Sequence, residues 1–276
     1  MKHLLTTTIL LCILGIGVSY AQEEEESQDN IFKGTRFVNA QSANLVEKGK
    51  LNLSIQHRFG DISGGLYELF GLDLATMRLG FEYGFGENFN LGIGRSTYLK
   101  TYDGFAKFRF VQQSSDFPFT ITATAEGAIP TLKNYFPDSN DDFSDKFSGA
   151  VQLHLAKTIQ NFGLQISPGY LNTGYLNSEN TSYSLFTLGL GGSVKVSKKV
   201  SVNLEYLHSF NDDYSNTKPL SLGVDLDTGG HLFQLIVSNS QQMFGQYLYT
   251  HTNGDWGDGH VYFGFNLIRQ FRIKYY

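Results

Sequence analysis

From residue 50 onward apolar and polar side chains alternate with period two, the pattern of strands whose two faces meet different surroundings. Leu51, Leu53 and Ile55 share one face against Asn52, Ser54, Gln56 and Arg58. Met77, Leu79, Phe81, Tyr83 and Phe85 oppose Thr76, Arg78, Gly80, Glu82 and Gly84. Ala106, Phe108 and Phe110 oppose Lys107 and Arg109, with Phe105 out of pattern; Phe119, Ile121, Ala123 and Ala125 oppose Thr120, Thr122, Thr124 and Glu126. Similar ribbons follow near residue 150, at Val200–Tyr206 and at Val261–Leu267.

Most runs approach the ~10 residues that a tilted crossing of a hydrocarbon layer requires, against about 5 to 6 in soluble sheets. Connections alternate in size. Gly86–Asn88, Gln112–Phe117, Thr158–Asn161, Ser197–Lys199 and Asp227–Gly230 are short, whereas Gly60–Gly71, Pro130–Asp145, Leu171–Ser182, Phe210–Pro219 and Ser240–Gly259 are long. Short inner turns and long outer loops describe an all-β, transmembrane, antiparallel up-and-down β-barrel of about 12 strands over residues 50–276, both termini periplasmic. An extra hairpin is open at Tyr98–Asp103 and at residues 240–259. A periplasmic sandwich would also alternate; strand length and loop alternation favour the barrel.

Composition supports this reading: 30 Gly, 23 Phe and 16 Tyr accompany only 5 Pro and 3 Met, a balance of aromatic strands and tight turns. Glycine on the inner face is expected to let the wall curve. Before the strands, Lys2, the apolar run Leu4–Val18 and Ser19-Tyr20-Ala21 form an export signal cleaved after Ala21; export together with the barrel pattern places the product in the bacterial outer membrane. Cys12, the chain's one cysteine, leaves with that signal, so disulfides, thiolate metal sites and cysteine nucleophiles are excluded. Residues 22–49 show no sustained period and read as a flexible periplasmic tail, with Glu23–Glu26 a solvated charge run. The formal net charge of −5 argues against a nucleic-acid partner.

Four stretches, Ile55-Gln56-His57-Arg58-Phe59-Gly60, Gly71-Leu72-Asp73-Leu74-Ala75, Gly94-Arg95-Ser96 and Gly264–Phe271, make the chain resemble a family of outer-membrane β-barrels of diderm bacteria known as a domain of unknown function. The resemblance runs from about residue 35 to residue 271 and implies a barrel in the outer membrane, with no activity, substrate or catalytic residue. The last strand ends in aromatics, the feature that barrel-assembly machinery reads, although Arg272–Tyr276 extends past Phe271.

Candidate chemistry is sparse. His208-Ser209, followed by Asn211, suggests a lipid hydrolase, but neighbours on a strand face opposite ways, so His208 cannot serve Ser209. His251-Thr252-Asn253-Gly254 lacks the serine such an enzyme needs. Asp138, Asp141, Asp142 and Asp145, or Asp255 and Asp258 near Trp256, lack the spacing of a calcium loop and read as solvated acids. No catalytic residue, metal ligand or cofactor is assigned. Arg58, Arg78, Lys107 and Arg109, with Glu82, Glu126 and Glu205, fall on the inner face, where charge avoids lipid. They either line a water-filled pore whose basic cluster shapes charge preference, or pair across a filled interior and hold a plug. About 12 strands lies between the filled 8-stranded barrel and the open channels of 16 to 18. Arg95, in phase with Phe89, Leu91 and Ile93, is expected at a strand end. The leading expectation is a non-enzymatic pore for small polar solutes. The alternative is a plugged barrel whose loops Pro130–Asp145 and Ser240–Gly259 recognise a partner or surface lipid.

Overall fold

A computed structural model describes residues 32–133, 142–174, 182–210 and 217–273. The export signal with Cys12, residues 22–31 of the expected tail, Asp138, Asp141 and Asn211 lie outside them.

The described residues form twelve strands: β1 (Lys50–Asp61), β2 (Thr76–Gly84), β3 (Phe89–Ser96), β4 (Tyr102–Val111), β5 (Thr120–Ile129), β6 (Ser148–Ile159), β7 (Phe162–Asn172), β8 (Ser184–Lys195), β9 (Val200–Phe210), β10 (Leu220–Asp227), β11 (His231–Ser238) and β12 (Tyr262–Arg272). Each pairs antiparallel with its sequence neighbours, and β1 pairs with β12, which closes the barrel and leaves no open edge. The register is carried by the alternation. Arg58, Gln56 and Asn52 of β1 stand opposite Gly264, Asn266 and Gln270 of β12, so polar faces polar along the seam. Between β6 and β7 the ladder skips Ser167-Pro168, where proline has no N–H to give. There a side-chain contact spans the two strands, His154 Nδ1 to Ser167 Oγ at 2.9 Å.

Short turns gather at the end where β1 begins and β12 finishes, here the termini end; the longer connections gather at the other, the loop end. Tyr98–Lys100 is a 3₁₀ turn joining β3 to β4, and Gly245–Thr250 is a short helix, so neither region holds the extra hairpin. That helix is α2; α1 is Phe143–Lys146.

Leu79, Phe81, Ile93, Phe108, Leu164, Ile166, Leu204 and Leu235 all point outward and stand exposed, a far larger apolar surface than a soluble monomer carries. Arg95 shares that outward row near the loop end of β3, its guanidinium 5.4 Å from the Tyr102 ring centre. Inward positions are mostly Asn, Gln, Ser, Thr and charged residues, and they are buried. They are buried because the lumen is filled. Residues 32–46, expected as part of a flexible tail, lie inside the barrel instead; Phe32, Phe37, Val38, Ala43 and Val46 are all buried, whereas Glu47 and Lys48 stand exposed before β1.

Candidate functional site

The filling enters from both ends. From the termini end, residues 35–42 fold as a tight hairpin: Phe37 N–H donates to Ala40 O at 2.9 Å and Ser42 N–H to Thr35 O at 3.0 Å. At its tip three successive amides, of Val38, Asn39 and Ala40, converge on the Glu205 carboxylate of β9 at 3.3, 3.1 and 2.9 Å. Consecutive backbone N–H groups aimed at one point form an anion-binding nest; here the anion belongs to the barrel wall.

The hairpin's carbonyls are taken up by other wall side chains. Gln234 Nε2 donates to Phe37 O, Asn266 Nδ2 to Val38 O, Gln165 Nε2 to Gln41 O and Thr122 Oγ1 to Ala43 O. Lys107 Nζ reaches Thr35 O at 3.0 Å and Asn44 O at 3.1 Å. A backbone without regular structure can be buried only if its polar groups find such partners. Sterics complete the fit. A Cβ on Gly191 would come within 2.5 Å of the Phe37 ring, and one on Gly223 within 3.1 Å of Val38. At these two positions glycine makes room for the hairpin, a demand additional to the expected curvature.

The sequence-predicted lumen residues fall into three groups. Glu205, Lys107, Glu82, Glu126 and Arg58 hold the stopper: Thr35 Oγ1 donates to Glu82 at 2.6 Å, Gln41 Nε2 to Glu126 at 2.8 Å, and Arg58 to Asn39 Oδ1 at 2.8 Å and Asn266 Oδ1 at 3.0 Å. Arg78 is locked within the wall, its Nε donating to Asp103 at 2.8 Å and its Nη1 to Gln56 at 2.8 Å, in a forked pair with the carboxylate. Arg109 stands at the termini rim, where its guanidinium donates to Glu87 O at 2.7 Å beside the turn joining β2 and β3. These basic side chains therefore do not form one free cluster facing a water path. Sequence reasoning missed Asp103 and Asp225, both buried on the inner face, and the stopper's Arg36 and Asn39.

From the loop end the connection between β11 and β12 turns inward; its residues Ser240–Gly259 are those that the plugged-barrel alternative assigned to recognition of a partner or surface lipid. Met243, Phe244, Tyr247, Leu248 and Tyr249 are buried, with α2 inside the mouth. Leu248 and Tyr249 pack on Leu171, Leu185 and Leu207, inward leucines of β7, β8 and β9, and Ala40 of the hairpin packs against the same cluster. Those three leucines are large apolar side chains at inward positions of three neighbouring strands, which was the legible signal for an apolar lid. Only the far part of the loop, around Asp255–Gly259, remains exposed.

His251 closes the lid, its ring 4.2 Å from that of Tyr247 and 5.9 Å from that of Tyr98. Burial lowers its imidazole to about 4. An undocked histidine takes a proton below about 6.5, whereas the docked one refuses it down to about 4. Lid docking is therefore at full strength above 6.5 and is lost as pH falls through the window to 4, by roughly 3 kcal/mol. Amide exchange of residues 243–252, corrected for its intrinsic pH dependence, is expected to accelerate across that window, and to stay level in His251→Phe.

The other candidates come apart. His208 lies outward against Phe210, ring centres 4.4 Å apart, while Ser209 is buried on the inner face. Asp142 is the N-cap residue of the short helix α1 and Asp145 belongs to it; none of the helix's residues is buried, and Asp255 accepts from Gly257 N–H in a local turn. Among the described residues no three of His, Cys, Asp and Glu converge as metal ligands. Inside, His154 bridges Thr124 Oγ1 at 2.8 Å and Ser167, but the adjacent cavity measures about 10 Å³, room for a single water molecule. A second cavity, beside Arg36 and Arg78, measures about 20 Å³. The larger space is a vestibule of about 290 Å³ at the termini end, lined by Lys33, Asn52, His231, Gln270 and Arg272.

A family model described as a membrane bound beta barrel domain (DUF5777) matches residues 32–271. Among solved structures the NanC porin superposes with a TM-score of 0.50 at 8% identity, covering 82% of this chain and 100% of that one. An outer membrane channel from Pseudomonas putida F1 gives 0.50 at 13% identity, covering 83% and 98%. At such identities the likeness is one of fold. No curated protein matches the chain.

Proposed function

The chain belongs to the membrane bound beta barrel domain family DUF5777, and from that premise we propose that it is a non-enzymatic outer-membrane channel held shut by its own N-terminal hairpin and loop-end lid, and that it passes small polar solutes when both withdraw. The observation that carries this reading is the chemistry of the filled lumen. Its wall is polar and charged, and the hairpin is bound to it by backbone amides that donate to Glu205 and by carbonyls that accept from Gln165, Gln234 and Asn266. Removing the two stoppers would leave a hydrophilic tunnel through twelve strands, wider than the side-chain-filled core of an 8-stranded barrel. In this reading the termini face the periplasm, where the hairpin enters; the outer surface meets lipid, and the C-terminal strand is what the assembly machinery engages.

A second reading, a permanently stoppered barrel serving as a scaffold or binding protein, is favoured by the neutralisation of Arg78 by Asp103. Planar-bilayer recordings separate the two. The full chain should be electrically silent, whereas a variant lacking residues 32–44, with residues 241–252 replaced by a Gly/Ser linker, should give steady ion-selective steps. Silence of that variant, with heat-dependent gel migration proving a closed barrel, would sink the channel and leave the scaffold.

A further inference from the structure

Among the described residues, the connection between β1 and β2 carries a run of exposed apolar side chains. Leu66, Tyr67, Leu69, Phe70, Leu72 and Leu74 are all half-exposed or more, with Leu66 at 80% and Tyr67 at 93%. Such exposure in a segment without structure would mean little, but this backbone is built. Phe70 N–H donates to Gly65 O at 2.7 Å, Gly71 N–H to Glu68 O at 2.9 Å, and Gln241 Nε2 of the lid loop to Leu74 O at 2.6 Å. Gly71 packs so tightly on Gly60 that a Cβ there would meet the Gly60 carbonyl at 2.3 Å. Leu69 and Phe70 hold φ of 46° and 55°, a left-handed conformation uncommon for large side chains. The fold thus accepts backbone strain to display apolar groups outward, a combination that clusters at functional surfaces.

We infer that this loop is a membrane anchor, seated in the interfacial layer of the bilayer at the loop end. Its occupant is lipid because the loop runs directly into the lipid-facing row: Met77, Leu79 and Phe81, the outward residues of β2, begin three positions after Leu74 and are likewise exposed. Between Gly64 and Ala75 the charged residues are Glu68 and Asp73 alone. Leucine, phenylalanine and a tyrosine with a polar tip suit the boundary between acyl chains and headgroups. The anchor would fix the barrel's depth on the β1–β2 side and steady the strand that forms the closing seam.

Tryptophan fluorescence tests this in the full chain. In a Trp256→Phe background, Tyr67→Trp and, separately, Leu66→Trp are reconstituted into phosphatidylcholine vesicles brominated at acyl carbons 6 and 7, with Phe81→Trp as the lipid-exposed standard. Both loop tryptophans should emit at blue-shifted wavelength, lose at least half as much intensity to bromine as the standard, and resist aqueous acrylamide. Water-like emission, quenched by acrylamide and indifferent to bromine, would overturn the anchor. So would shielding from both quenchers together with disulfide-linked dimers of Tyr67→Cys, which would place a second copy of the chain on the loop. Heat-dependent gel migration verifies that each variant has folded.

Discussion

Glu205→Ala should expel the N-terminal hairpin from the lumen. The carboxylate is the shared acceptor for the amides of Val38, Asn39 and Ala40, and alanine offers those donors nothing. Each stranded buried donor costs roughly 1–3 kcal/mol, so the docked state should lose most of its advantage while the twelve-strand ladder is untouched. The readout is proteolysis. Arg36 is buried in the docked segment, over the Phe105 ring, and trypsin supplied from the termini end should cut there in the variant and spare that bond in the parent. Gly191→Leu should reach the same state by collision with Phe37, with every charge retained. If both variants resist trypsin as the parent does, the nest and the fit at Gly191 are not what hold the stopper.

Asp103→Ala is expected to carry the largest cost to the barrel itself. It strands the Arg78 guanidinium, fully buried and so close to the backbone of Gly80 and Gly94 that a Cβ at either would overlap it. Breaking a buried pair from one side costs about 3–5 kcal/mol, whereas replacing both partners by apolar groups of similar volume is often neutral. Urea unfolding in vesicles should show a large drop in midpoint for Asp103→Ala, and near-parental behaviour for Arg78→Met combined with Asp103→Leu. An unchanged midpoint in the single variant would mean that water reaches this arginine and the pair carries little.

Strand identity, facing and closure follow from parity in the sequence, since a shift of one residue would turn every lumen side chain into lipid. Parity also put Arg58, Arg78, Glu82, Lys107, Glu126 and Glu205 on the inner face. It could not supply their partners. Asp103 sits at the start of β4, next to the non-repetitive turn Tyr98–Lys100, so the carboxylate that neutralises Arg78 was hidden in an apparent connection. Arg109 shares its strand's inner parity, yet the register shifts between it and Val111 and the side chain ends at a turn. The hairpin was invisible for a deeper reason: its backbone is satisfied by side chains far away in sequence, and irregular structure leaves no period. The lid, by contrast, had left a trace in Leu171, Leu185 and Leu207.

The seam bears on how such a molecule is made. The stopper precedes β1 in the chain, and β1 finds β12 across nearly the whole sequence. Threading a peptide into a finished cylinder would require stripping water from its amides before any wall group could replace it. Wrapping avoids that: sheet and stopper can exchange solvent for one another contact by contact, and the last ladder zips shut around a mandrel already in place. The segment that precedes β1 would then serve as the form on which the strands are bent.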